Sequence, residues 1–252
     1  VGEGLLTTLK KSLEEGKITE KQIDMACRRI LEAKYKLGLF DDPYKYADPK
    51  RAATEVYTDP NRQAARKIAA HSFVLLKNEK QLLPLKKKGT IALVGPLADA
   101  KENMPGTWSV AADFSKSISV LQGMQEALKD QATIHYAKGA NVYSDSLTEA
   151  RVSIFGKPTG WDNRPEDVMI AEALEAAKKS DVIVAVIGEA AEMSGEASSR
   201  SDIEIPANQR RLVKALLETG KPVVMVLFTG RPLAMKWEND NVPAILNVWF
   251  GG

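Results

Sequence analysis

The chain has 252 residues, of which 44% are hydrophobic and 27% charged, with a formal net charge of +2. These values are typical of an ordinary globular protein and allow one large domain, or one domain with part of another. No apolar run reaches membrane-spanning length, and no basic stripe with interleaved aromatic residues indicates a nucleic-acid partner. The chain starts with VGEGLL rather than Met, so we interpret it as a piece of a longer protein.

Residues 1–40 are predicted to form two helices. Thr19 and Gln22 have the spacing of a capping box, which marks the start of the second helix. This helix has an apolar stripe, and Cys27, the only cysteine, is interpreted as a small core residue on it. Residues 41–60 contain three prolines and no hydrophobic periodicity, which indicates a linker.

From Thr90 onward, short apolar strands alternate with amphipathic helices. The strand patterns are TIALVG, TIHYA, DVIVAVIG, PVVMVLF and AILNVWF. Strands separated by single helices form parallel β-α-β units, so the sequence predicts an α/β fold, a three-layer α/β/α sandwich with a mostly parallel sheet. Residues 139–164 are expected to be an irregular excursion, in which Trp161 either walls a binding cleft or covers the edge of its own domain.

In a wound α/β sheet, ligands bind beyond the carboxyl ends of the strands. The long loop after DVIVAVIG is rich in charged residues, namely Glu189, Glu192, Glu196, Arg200, Asp202 and Glu204. Two other loops at this edge are GPLADAKENMPGTWS and TGRP. The patterns that bind dinucleotides or nucleoside triphosphates are absent, as is the nucleophile elbow of the α/β hydrolases. The two histidines and one cysteine have no metal-ligand spacing, so no metal and no cofactor are predicted.

The remaining chemistry is that of carboxylates. Glu196 follows Gly195 among small residues that leave room for a sugar, and it is suited to be the proton donor of a glycosidase. Like-charge repulsion from Glu189 and Glu192 would raise its pKa, as a general acid requires. A solvated loop carboxylate without a catalytic role is the alternative. Arg200 and Asp202 are expected to form an ion pair that holds the loop, or else a surface contact of little energetic weight.

Five phrases of the sequence together resemble glycoside hydrolase family 3, and in particular its bacterial periplasmic β-glucosidases. They are LGLFDDPY, ARKIAAHSFVLLKNEKQLLPL, IALVGPLAD, VIGEAAEMSGEASSRSDIEIPANQRRLVKAL and TGKPVVMVLFTGRPLA. The phrases occur in the family's order over nearly the whole chain, and the resemblance is weakest at residues 139–164.

The resemblance implies a domain organisation. Residues 1–40 would be the last helices of a (β/α)8-type barrel, 41–60 a linker, and 61–252 the sandwich domain. In the family, the barrel supplies the catalytic nucleophile, an aspartate in a Ser-Asp-Trp-like phrase. This chain has no such phrase. We therefore expect it to lack the nucleophile and, by itself, to have no glucosidase activity.

The resemblance also assigns residues to the site. Glu196, in SGEASSR, would be the general acid/base, while Trp108 and Ser109, in PGTWS, would contact the sugar. The acid/base loop would be supported by Arg200, Asp202 and Glu189. The implied activity is that of a retaining, exo-acting β-glucosidase in the periplasm, which binds a β-glucoside or oligosaccharide and packs against its own barrel domain; its oligomeric state is left open.

Two other functions compete with this interpretation. In the first, the chain is a non-catalytic module that binds carbohydrate or packs against another domain, and the loop only shapes a subsite. In the second, suggested by fold analogy alone, it is a flavodoxin-like nucleotide or flavin binder. The missing phosphate-binding glycine pattern argues against the second.

Overall fold

The structure is a computed structural model that describes residues 2–109, 112–152, 159–196 and 198–252. It divides into two compact units, Val1–Arg62 and Gln63–Gly252. Among the described residues, no helix combines the length and the apolar character needed to cross a bilayer.

The first unit contains the helices α1 (Gly2–Glu14), α2 (Glu20–Lys36) and α3 (Arg51–Glu55). The predicted capping box is present at the start of α2: the Gln22 amide donates to Oγ1 of Thr19 at 3.3 Å, and the Thr19 amide donates to Oε1 of Gln22 at 2.8 Å. These two bonds satisfy amide groups that the first turn of a helix leaves without intrahelical partners.

One expectation for this unit was wrong. Cys27 is exposed rather than in a core, and no residue of α2 is buried, because the few helices of the unit do not enclose their own apolar faces. The stretch 41–60, predicted to be a linker, contains α3. Arg51 and Glu55, four residues apart on α3, form two hydrogen bonds of 2.9 and 2.7 Å, a local pairing that supports this single helical turn.

The helix α4 (Asp59–Ser72) leads into a six-stranded sheet. The strands are β1 (Val74–Asn78), β2 (Gly89–Val94), β3 (Ala132–Ala137), β4 (Val182–Gly188), β5 (Val223–Phe228) and β6 (Ala244–Asn247). Their order is β1-β6-β5-β4-β2-β3. All neighbours are parallel except β1, which runs antiparallel to β6 at one edge. The predicted mostly parallel sheet is therefore confirmed, with β1 as a strand that the sequence did not reveal.

The helices of this unit after α4 are α5 (Val120–Leu128), α6 (Ser146–Val152), α7 (Glu166–Lys178), α8 (Ala207–Glu218) and α9 (Lys236–Asn241). Within 139–164, which was expected to be irregular, α6 forms one short helix, and residues 153–158 lie outside the described part. Trp161 packs against the core from this stretch, so it covers its own domain.

Alternate residues of the central strands face two separate cores. On β4, Ile183, Ala185 and Ile187 pack in a core that includes residues of α7 and α8. Val184 and Val186 point the other way, into a core that includes Leu128 of α5. Since successive side chains of a strand point to opposite faces, a strand that is apolar throughout requires cover on both sides. This arrangement confirms the predicted three-layer α/β/α sandwich.

The strand order places a topological switch point between β2 and β4. From β2 the chain moves outward to β3, and it then returns to the other side of β2 to form β4. The connections that follow β2 and β4 therefore lead to opposite sides of this switch point. In open α/β sheets this is the usual place of ligand binding.

Candidate active site

The buried carboxylate of Glu189 organises the loop that follows β4. Glu189 comes directly after the strand and is 0% exposed. Its Oε1 accepts a hydrogen bond from Nη1 of Arg200 at 2.8 Å and lies 3.3 Å from Nε of Arg231. Its Oε2 accepts from the Thr229 hydroxyl at 3.0 Å and from the Gly230 amide at 3.4 Å. These contacts from two arginines and two neutral donors compensate the charge that burial would otherwise make very unfavourable.

The predicted ion pair between Arg200 and Asp202 does not form; the counter-ion of Arg200 is Glu189. Asp202 instead accepts from the Glu204 amide at 2.8 Å, which closes a tight local turn. Nη2 of Arg200 donates to the carbonyl of Glu204 at 2.8 Å. Arg200 thus connects the first residue of the loop with a residue near its end, so the loop returns on itself.

Glu196 projects from this anchored loop. Its side chain is exposed, and it forms no hydrogen bond or ion pair with another residue of the described ranges. Ala197 lies outside those ranges. The next residue, Ser198, donates from its hydroxyl to the carbonyl of Glu192 at 2.7 Å, which turns the chain back. Glu192 itself is buried. The carboxylate of Glu196 is therefore available to a ligand, while Ser198 is bonded back to Glu192.

Glu196 lines a cleft of about 540 Å³ on the second unit. The cleft lies between the loop after β4, the start of α8 and a segment that contains Tyr143 and Asp145. Charged and hydroxyl side chains make up much of its lining, including Tyr143, Ser144, Asp145, Thr148, Glu192, Ser198, Ser199, Arg200, Asp202, Glu204 and Arg210. A larger cavity of about 610 Å³ is lined by residues of β3, α7 and Lys179, with no residue of the carboxyl-end loops.

Two side chains of α8 fix the wall of the cleft opposite the loop. Nδ2 of Asn208 donates to the carbonyl of Tyr143 at 3.0 Å. Gln209, fully buried, donates from Nε2 to the carbonyls of Val142 at 2.8 Å and Gly188 at 3.0 Å, and its Oε1 accepts from the Gly188 amide at 2.8 Å. Gln209 therefore connects the end of β4 to the Tyr143 segment. Sequence reasoning did not single it out, because a glutamine on an amphipathic helix normally faces solvent.

Trp108 and Ser109 lie on the loop after β2. The indole of Trp108 is 69% exposed, as a ring available for stacking must be. The Ser109 hydroxyl donates to the carbonyl of Gly106 at 2.8 Å, so it is engaged within its own loop. Neither residue is among those that line the cleft of Glu196. The structure thus places them on the loop after β2, the strand next to β4, but outside the cleft that Glu196 lines.

Comparison with known proteins shows the family of this chain. The model of the glycosyl hydrolase family 3 C-terminal domain matches residues 73–252. The chain belongs to glycoside hydrolase family 3.

The family 3 relatives include both glucosidases and xylosidases. The chain is 46% identical to the periplasmic beta-glucosidase of Salmonella typhimurium over 95% of its own length and 32% of that protein. It is 37% identical to a beta-xylosidase of Formosa agariphila, over 97% and 32% of the two chains. A solved beta-glucosidase from Listeria innocua, in complex with isofagomine, aligns with a TM-score of 0.82 and 34% identity over 97% of this chain and 31% of that one. The chain thus spans about a third of the length of each of these three relatives.

One candidate functional residue of this family 3 chain, Arg231, was not predicted from the sequence. TGRP was identified as a loop at the carboxyl edge of the sheet, but Arg231 within it was given no role. In the structure Arg231 contacts Glu189 and donates from Nη2 to the carbonyl of Met193. No local pattern reveals this, because both partners lie about forty residues away in sequence. Within the described residues, no group of three or more metal-ligating side chains comes together.

Proposed function

We propose that the chain is the acid/base-bearing part of a retaining, exo-acting β-glucosidase that releases terminal, non-reducing β-D-glucosyl residues. Glu196 is the general acid/base. The observation that carries this proposal is the contrast within one loop: Glu189 is fully buried and bound by two arginines, whereas Glu196, seven residues later, is exposed and without a described partner. Proton transfer to a bound sugar requires an available carboxylate on a loop that is held in place.

The chemistry needs two carboxyl groups. Glu196 donates its proton to the glycosidic oxygen as the bond to the anomeric carbon breaks, and a carboxylate nucleophile forms the glycosyl-enzyme intermediate. Glu196, now ionised, then takes a proton from water as the water attacks the anomeric carbon and releases the nucleophile. The nucleophile comes from outside this chain. By itself the chain therefore binds sugar at most and turns over no substrate.

The remaining site residues serve binding and support. Trp108 stacks on a pyranose ring, and Ser109 contacts the sugar at the same loop. Glu189 and Arg200 hold the acid/base loop, together with the turn that Asp202 closes. The domain organisation that fits this division has the end of a barrel at 1–40, a linker at 41–60 and the sandwich at 61–252, with the barrel domain as its packing partner.

The relatives support the substrate class and the location. Solved structures of the Listeria innocua beta-glucosidase include a complex with glucose and, for its D270A mutant, one with laminaribiose. The Salmonella typhimurium relative is named periplasmic. A glucosyl rather than a xylosyl substrate is proposed because the identity to that glucosidase, 46%, exceeds the 37% identity to the Formosa agariphila xylosidase. The proposed substrate is therefore a β-glucoside or oligosaccharide, and the proposed location is the periplasm. The proposed reaction requires no cofactor.

Glu196→Ala in the full-length protein tests the assignment. We expect kcat on an aryl β-glucoside to fall by about a hundredfold or more, since general acid/base catalysis contributes that much, and azide to restore part of the turnover. The control is Glu218→Ala, an exposed carboxylate on α8, which should leave kcat unchanged. A change confined to KM would instead identify a non-catalytic carbohydrate-binding module. Turnover by the 252-residue chain alone, abolished by Glu196→Ala, would instead contradict the statement that the nucleophile lies outside this chain.

A further inference from the structure

The segment just before Glu196 is held from one side by the loop after β2. Thr107 reaches across the switch point, and its Oγ1 donates to the carbonyl of Ser194 at 2.6 Å and also contacts the carbonyl of Ala191. Nearby, Oδ1 of Asn103 accepts from the Ala191 amide at 3.0 Å. Both residues belong to the same loop as Trp108. The backbone that leads to the acid/base carboxylate is therefore bonded to the loop that carries the exposed indole.

The contact with Thr107 continues at Gly195, the residue directly before Glu196. Gly195 has φ of +134°, and a Cβ atom at this position would lie only 2.7 Å from Cγ2 of Thr107. Both the backbone conformation and the available space thus require glycine here. The side chain of Thr107 consequently lies directly against the backbone at the last peptide before the catalytic candidate.

The loop after β5 holds the same segment from the other side. Nη2 of Arg231 donates to the carbonyl of Met193, and its Nε lies 3.3 Å from the carboxylate of Glu189. The backbone of Gly230 approaches so closely that a Cβ there would fall 1.9 Å from Oγ of Ser194. Arg231 thus connects the buried Glu189, at the start of the acid/base loop, with the segment that precedes Glu196.

We infer that Thr107 and Arg231 are positioning residues for the general acid/base. Between them they bind the carbonyl groups of Ala191, Met193 and Ser194, all within five residues of Glu196. The direction of the Glu196 carboxyl is then set by two neighbouring loops of the sheet. This inference rests on the proposed role of Glu196, and the test below separates the failure of one from the failure of the other.

Leaving-group dependence reveals a positioning role. A poor leaving group, such as the sugar released from laminaribiose, needs protonation as the glycosidic bond breaks. An activated leaving group, such as 2,4-dinitrophenolate, is stable as an anion and departs without a proton. A displaced acid therefore slows the first reaction and spares the second. A residue that only stabilises the fold lowers the amount of active enzyme, which affects both substrates equally.

The experiment uses the full-length enzyme with Thr107→Val, which keeps the shape of the side chain and removes the hydroxyl, and with Arg231→Lys, which keeps the charge and removes the forked donor geometry. We expect the ratio of kcat/KM for laminaribiose to that for 2,4-dinitrophenyl β-glucoside to fall by about tenfold or more, as small misplacements of catalytic groups do. Thr107→Ser, which keeps the hydroxyl, should recover most of the ratio. Matched controls are Thr133→Val on β3 and Arg211→Lys on α8, both exposed, and these should preserve the ratio.

Glu196→Ala sets the reference for this measurement. If Glu196→Ala lowers the ratio but Thr107→Val and Arg231→Lys do not, the positioning role is wrong and the proposed function stands. If Glu196→Ala leaves the ratio unchanged, the acid/base assignment itself fails. Should Thr107→Val not fold, Arg231→Lys and Thr107→Ser still decide, because an equal loss on both substrates from Arg231→Lys contradicts the inference.

Discussion

Oε1 of Glu189 lies 2.8 Å from Nη1 of Arg200 and is shared with Arg231, whose Nε is 3.3 Å away. Arg200 belongs to the loop after β4 and Arg231 to the loop after β5. A single buried carboxylate is thus the common counter-ion of two loops. The stability of the second unit should depend on the charge of this carboxylate.

Glu189→Gln is expected to lower the free energy of unfolding by about 2 kcal/mol, because it leaves two partly buried arginines without their counter-ion while nearly preserving shape. Urea denaturation of the 252-residue chain, followed by tryptophan fluorescence, measures this. Glu218→Gln, at an exposed position of α8, removes a charge of the same kind and should change the value by less than about 0.5 kcal/mol. Equal effects from the two variants would show that the buried pairing contributes nothing.

Gln209→Met should cost about 2–4 kcal/mol of unfolding free energy. The side chains are similar in size, but methionine leaves the amide and carbonyl of Gly188 and the carbonyl of Val142 without their buried partner. Gln131→Met is the control, since Gln131 is exposed. The same denaturation experiment measures both variants, and a stable Gln209→Met chain would mean that these backbone groups find other partners.

Trp108→Ala and Trp237→Ala are expected to separate function from stability. Trp108 is 69% exposed, so its removal should change the unfolding free energy by about 0.5 kcal/mol at most. Trp237 packs against the core beside α8, and its removal should cost about 2–3 kcal/mol. In the full-length enzyme, Trp108→Ala should raise KM for β-glucosides through the loss of stacking. An unchanged KM would remove Trp108 from the sugar site.

The pH dependence of stability should report the burial of Tyr143. Tyr143 is 3% exposed, and burial, reinforced by the charge of nearby Glu192, raises the pKa of its hydroxyl well above the ordinary value. The unfolded chain therefore loses this proton first, near pH 10. The contribution of the Tyr143 hydroxyl to the free energy of unfolding is complete below that pH, and it is lost as pH rises toward the folded-state pKa. The loss is at most about 1.4 kcal/mol per pH unit above pH 10.

Tyr143→Phe is therefore expected to flatten the decline of stability between about pH 10 and 11.5, measured as urea midpoints. At neutral pH the substitution should cost little, because the Tyr143 hydroxyl has no hydrogen-bond partner within the described ranges. Tyr44→Phe, at a position 78% exposed, is the control and should leave the alkaline decline as it is. An unaltered decline in Tyr143→Phe would contradict the burial of this hydroxyl.

The layers of the fold were predictable because their signals are local. Apolar runs such as that of β4 and amphipathic helices such as α8 are legible within a dozen residues, and their alternation dictates a parallel sheet. The pairing of β1 with β6 joins segments about 170 residues apart, and the five residues of β1 have no pattern of their own. The exposure of Cys27 was also mispredicted, because an apolar stripe indicates which face of a helix would be covered, without showing that anything covers it.

The candidate site was predictable only in part for a related reason. Glu196 stands in a phrase that resembles a known family, so its role could be suggested from the chain alone. The partner of Arg200 could not, because Asp202 was its nearest acidic neighbour in sequence while Glu189 lies eleven residues before it. Competition between ion pairs is settled by burial: Glu189 inside the fold has more to gain from a cation than Asp202, which bonds a backbone amide.

Three loops are bonded to one another at the backbone that precedes Glu196. These bonds also limit which changes of loop sequence and loop length the protein can tolerate. A transplant of SGEASSR into another sandwich would carry Gly195 without the threonine that fills the space above it. A change in the length of the Trp108 loop would likewise displace the peptide groups that precede Glu196. Chimeric enzymes with new leaving-group preferences should therefore exchange the loops after β2, β4 and β5 as one cassette.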